Sequence, residues 1–101
     1  MQPIPSQSEK RMQLAIVLEK KVNAAAGGLG LEALVMPYDG DGIRVVILRG
    51  VKRGVRTIGV RTFGPIKGSI KEFANGVLGA MWPKLKAEIE QLRRMQGILA
   101  K

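Results

Sequence analysis

The chain has no cysteine and no histidine. Without cysteine there is no disulfide framework and no thiol chemistry, and nothing marks the redox compartment. Without either residue the usual ligands of a zinc site are gone. The commonest general base is gone too, so Ser69 has no histidine to activate it. Aromatic residues are scarce, with two Phe, one Tyr and one Trp. Leu, Ile, Val and Met must therefore fill the core. Single-strand recognition by stacking platforms is disfavoured relative to duplex backbone binding, because each bound base needs an aromatic face. Trp82 reads as a core anchor at a helix end and Tyr38 as a turn residue.

Acidic residues number 8 against 17 Lys and Arg, for a net charge of +9. Glu32 and Glu72 stand alone in the sequence. Asp39 and Asp41 are close, but they lack the further oxygen ligands and the distal Glu of an EF-hand loop, so they read as turn chemistry. The glycine-rich stretches fit neither the P-loop nor the dinucleotide fingerprint. The chain reads as a non-enzyme without a cofactor or a metal. The longest charge-free runs, residues 22–31 and 73–83, fall far short of the ~20 residues of a membrane span. The first eleven residues lack the apolar stretch of a signal peptide, which makes the cytoplasm the default compartment.

With 101 residues, 46% of them hydrophobic, the sequence has the length and composition of one globular domain. Residues 1–7, with two prolines, read as a flexible tail, and residues 8–101 as a single domain. Ser8 and Glu9 suit a helix start. Leu14, Val17, Leu18, Val22 and Ala25 then recur at helical spacing up to Gly27-Gly28. Residues 29–36 alternate as a strand. The segment 37–42, with its two Asp-Gly pairs, is a turn. Residues 43–49 are β-branched and apolar on both faces, as in a central strand. Residues 55–63 form a third strand after a short loop at 50–54. Connections this short predict an antiparallel meander. Ile66, Ile70, Phe73, Val77 and Met81 mark a second helix, which Trp82-Pro83 should kink or end. Leu85, Ile89, Leu92 and Leu99 mark a third. The predicted fold class is α+β, in the order αβββαα, with the helices packed on one sheet face.

Between Arg44 and Lys71 there are eight cations and no Asp or Glu. Strand periodicity fixes such charges in a pattern, and a patterned positive surface suits a polyanion. Alternation predicts that Ile58 and Val60 face the helices, leaving Arg49 and Arg61 off the core with Thr57 and Gly59. Lys52 and Arg53 would sit at the loop tip with Arg56 nearby. Gly59 would make the outer surface flat enough for another backbone to approach. Lys67 and Lys71, four apart, would flank the start of the second helix, where free N–H groups favour phosphate. The candidate nucleic-acid-binding residues are therefore Arg49, Lys52, Arg53, Arg56, Arg61, Lys67 and Lys71. They would neutralise phosphates of a DNA or RNA backbone, preferably a duplex, with little reading of sequence.

The order helix, three antiparallel strands, helix resembles that of double-stranded-RNA-binding domains. The loop between the first two strands here is PYDGDG, in place of that family's motif with Gly, Pro and His. Lys67 and Lys71 match its Lys-rich helix opening loosely. A three-stranded sheet followed by a helix is also similar to the arm-binding domains of tyrosine recombinases. The apolar stripe of residues 84–99 offers a surface for a homodimer. The alternative function is a protein-interaction module of the mobile-element or phage type, docking on an acidic partner or acting as a homodimer.

Overall fold

The computed structural model describes residues 6–51 and 53–99, the side chains of 96–99 excepted. The element order is α1 (Gln7–Ala26), β1 (Leu31–Tyr38), β2 (Gly42–Val51), β3 (Gly54–Phe63) and α2 (Ile70–Leu99). The three strands form one antiparallel sheet in the order β1-β2-β3. The α+β meander is present as the sequence indicates. The boundary between a second and a third helix is not, because one 30-residue helix runs through it.

α1 starts earlier than Ser8. Ser6 is its N-cap, and the Ser6 hydroxyl accepts a hydrogen bond from the Glu9 amide at 3.2 Å. That bond satisfies one of the free amides of the first turn. The first five residues of the expected tail lie outside the described residues. The helix ends at Gly27, whose amide bonds to the Asn23 carbonyl. Leu14, Leu18, Val22 and Ala26 are its buried stripe.

β1 is an edge strand, and α1 holds it in place. The Asn23 side chain donates to the Leu31 carbonyl at 2.8 Å and accepts from the Leu31 amide at 2.7 Å. Glu19 accepts from the Ala33 amide at 3.0 Å. These bonds satisfy backbone groups that no fourth strand pairs.

The register puts Leu31, Ala33 and Val35 on the same face as Arg49, Ile47 and Val45. Those rows, with Ile43, meet the helices, and Ile43, Val45 and Ile47 are almost wholly buried. From α2 come Ala74, Val77, Met81, Leu85, Ile89 and Leu92, all in the same core. No helix among the described residues lies over the opposite face of the sheet. That face carries Leu34, Met36 and Tyr38 from β1, Val46 and Leu48 from β2, and Val60 from β3.

Pro83 lies inside α2. It has no N–H for the Gly79 carbonyl, and its ring crowds that carbonyl; an interior proline costs about 3 kcal/mol. The helix continues because Val77 and Met81 before Pro83, and Leu85 and Ile89 after it, are anchored in one core. Full burial of each such side chain contributes about 1.5–3 kcal/mol, so packing outweighs the break. Leu85, Ile89 and Leu92, expected as a dimer stripe, are spent inside the chain.

Replacing Pro83 by Ala restores the missing donor at an exposed position. Chemical denaturation of Pro83→Ala should show a gain of about 1–3 kcal/mol. A loss of stability would mean that the helix needs the proline's local distortion to pack.

Candidate nucleic-acid interface

The strand facing α2 has a different parity from that expected of simple alternation. Ile47 pairs with Gly59 and Leu48 with Thr57, so Ile58 is an extra residue, a β-bulge. Beyond the bulge Gly59, Arg61 and Phe63 oppose Ile47, Val45 and Ile43, on the helix-facing side. Before it Arg56 opposes Arg49, on that same side. Ile58 is buried as expected, but Val60 lies on the open face, 45% exposed. Arg49, Arg56 and Arg61 therefore belong to the helix side of the sheet. Gly59 is not a landing place for a partner's backbone. A Cβ built on it would stand 3.0 Å from Cδ2 of Leu85, so α2 itself makes the close approach.

β3 is the other edge strand, and its arginines lean on the flank of α2. Arg56 Nη2 lies 3.4 Å from Glu88 Oε2, with both side chains about a third exposed. Such a pair contributes at most about 1 kcal/mol. Arg61 Nη1 donates to the Ala80 carbonyl at 3.0 Å, and its guanidinium lies 5.7 Å from the Phe63 ring centroid. Ala80 and Glu88 are two turns apart on α2, and Lys84 stands one turn from each. Spacing of four residues puts all three on one helix row. Lys84 is exposed and comes between the two arginines at this seam. Sequence reading passed it over. The signal was the i, i+4 row, which becomes informative only once the row is known to border β3.

The seven sequence-picked residues are not one cluster. Arg49, Arg53 and Arg56 gather at the β2–β3 turn, and Lys52 falls outside the described residues. Arg61 lies further along β3, about 16 Å from Arg56 at the rise of an extended strand. Arg61 and Lys67 line a common groove with Phe63, Glu72, Phe73 and Ala80. Lys71 is exposed in the first turn of α2 and does not line that groove.

The start of α2 departs from expectation. Gly68 at φ +72° breaks the backbone before the helix, leaving Lys67 in the preceding segment. Ser69 caps the helix, accepting from the Glu72 amide at 3.1 Å. Ser69-x-x-Glu72 is the sequence pattern of a capping box, a signal available in the sequence and overlooked. With Ser69 and Glu72 already serving this end, the phosphate site expected there has competition from the chain's own groups.

At the turn end the electrostatics are unbalanced. Arg49 and Arg56 are directly opposed across the ladder, and like charges so placed repel. Among the described residues, Glu88 is the one carboxylate in salt-bridge contact with either. Arg53 adds a further exposed cation on the adjoining turn. Asp39 and Asp41 sit at the opposite end of the hairpin, beside Tyr38 and Gly42. Asp39 adopts φ +43° there, as a tight turn requires. No group of three or more potential metal ligands occurs among the described residues. No helix among them is long and apolar enough to cross a membrane.

No family model matches this chain, and neither a curated protein nor a solved structure matches it.

A side chain at position 59 must displace Leu85 from the α2 seam. Gly59→Val should lower stability by about 1–3 kcal/mol in denaturant unfolding. A neutral result would mean that α2 can lift away from β3 without loss.

Proposed function

We propose that the chain binds the phosphate backbone of nucleic acid along the seam between β3 and α2. The site runs from the β2–β3 turn to the segment before α2. Arg49, Arg53 and Arg56 act at the turn, with Lys52 beside them in sequence. Lys84 and Arg61 continue the line, and Lys67 closes it, with Lys71 on the flank. Their work is neutralisation of phosphates with release of condensed counterions.

The observation that carries this reading is the opposed Arg49–Arg56 pair, balanced in contact by Glu88 alone among the described residues. Repulsion of that kind is relieved by an external polyanion that spans both charges. A duplex is favoured over single strands for a separate reason. Phe63 and Phe73, the aromatics beside the seam, are partly buried against the core, so they offer less ring surface for base stacking than an exposed platform would. The edge position of β3 also gives these cations a structural role, since charge there discourages edge-to-edge pairing. Both roles are compatible on one edge.

Fluorescence anisotropy with labelled duplex DNA, duplex RNA and single strands across a salt series tests the reading. The expected result is micromolar binding, with a log–log salt slope of about −4 for four or five phosphate contacts. Lys52→Glu with Arg53→Glu, and separately Lys67→Glu with Lys84→Glu, should each weaken binding about tenfold or more on every duplex sequence. Arg53, Lys67 and Lys84 are exposed, so the melting temperature should hold. Absence of binding at low salt overturns the proposal. Unchanged binding in both double variants would move the site away from this seam.

A further inference from the structure

We propose that the open face of the sheet docks a second copy of this chain, around a two-fold axis perpendicular to the strands. The face is apolar at its centre. Leu34, Val46 and Val60 form one cross-strand row there, and Leu34 and Val60 are 44% and 45% exposed. An apolar sheet face uncovered by helices is unusual for a monomer and common where a partner lies.

The charges on this face identify the occupant. Glu32 lies one row to one side of the central row, and Arg44 one row to the other side. They are the two charged residues that the pairing register puts on this face. A two-fold axis through the central row, perpendicular to the strands, brings the Glu32 row of each copy over the Arg44 row of its partner. In the plane of the sheets, each carboxylate then lies about one strand spacing, ~4.8 Å, from the opposing arginine. Packed sheets stand about 10 Å apart, within the combined reach of the two side chains. The alternative axis, parallel to the strands, stacks Arg44 on Arg44 and Glu32 near Glu32. Charge complementarity therefore selects one of the two isologous arrangements.

Arg44 is held in place for this role. Its guanidinium stacks on Tyr38 at 4.4 Å from the ring centroid, and its Nε is buried beyond the reach of a second copy. The stacking holds the head group over the face, where a partner's carboxylate can meet its remaining N–H groups.

Size sets the strength. Three strands give a face about 14 Å wide and about 33 Å long. Two such faces in apposition cover on the order of 900 Å² in total, below the ~1,200 Å² of a standard specific interface and within the range of weak, transient ones, so a dimer with a Kd of tens to hundreds of micromolar is expected. The inference does not rest on nucleic-acid binding, because the seam cations lie on the helix side of the sheet.

Sedimentation of nuclease-treated protein over roughly 5–500 μM brackets such a Kd. The expected result is a concentration-dependent dimer. Val60→Glu changes a side chain already exposed in the single copy, and should weaken the dimer at least about tenfold through a buried unpaired charge. It should leave the anisotropy salt series on duplex DNA with its slope per protomer intact. Glu32→Arg and Arg44→Glu should each weaken the dimer, and the double swap should return it to within about threefold of the wild type. A wild-type chain that stays monomeric at the top of the range overturns the proposal and leaves the face to a different protein. A dimer indifferent to Val60→Glu places the interface elsewhere, and failure of the double swap to restore association rejects the axis.

Discussion

A three-stranded sheet covered by helices on one face only is the constraint from which the rest of this molecule follows. Three strands bury too little surface by themselves, so α1 and α2 must lie side by side over Ile43, Val45 and Ile47. Among the described residues no further element covers the other face. With one side filled and the other bare, every residue of the meander is sorted by parity. A side chain faces the helices, where cations can only lean outward along a flank, or it faces the open side, where Arg44 and Glu32 are the charged residues among the described pairs. Edge strands are treated unequally under the same constraint. Asn23 and Glu19 satisfy the backbone of β1 from α1. β3 keeps its edge beside arginines that reach to α2.

Much of this order was legible in the sequence. Helical spacing gave α1 to within a residue or two, and Gly27 marked its end. The Asp-Gly turn and the apolar central strand fixed an antiparallel meander, because connections that short admit no crossover. Strand parity beyond Ile58 was not legible. A bulge inserts one residue, and one residue exchanges the faces of everything beyond it. Val60 and Arg61 are as plausible one way as the other until the partner strand is known. The same slip explains why Gly59 read as an outer landing site, although it is the notch that lets Leu85 approach β3.

The two errors at α2 have a different physical origin. Proline is a strong local signal, and on local grounds the helix should have broken at Pro83. What overrode it was long-range burial on both sides of the proline, a term that local propensity does not contain. The start of the helix failed in the opposite sense. Spacing alone drew Ile66 into the helical stripe, and Ile66 is indeed buried, but from the segment before the helix. Ser69 and Glu72 carried the correct boundary in their own chemistry. A cap is a statement about which amides lack partners, and it outranks periodicity in deciding where a helix begins.

The candidate site shows how charge and fold divide the work. Sequence picks out the basic window as a run of residues, but distance along a strand disperses such a run. A run of cations in sequence becomes a line of separated charges, joined here by Lys84 from another element. A line of this kind suits the proposed function, because it can follow a polyanion along its length rather than grip one phosphate, with little sequence preference. The open face obeys the opposite rule. There the net charge of the chain is almost absent, with Glu32 and Arg44 cancelling each other. A strongly basic chain repels its own copies over most of its surface. The proposed self-association uses the one broad face from which the excess positive charge has been excluded.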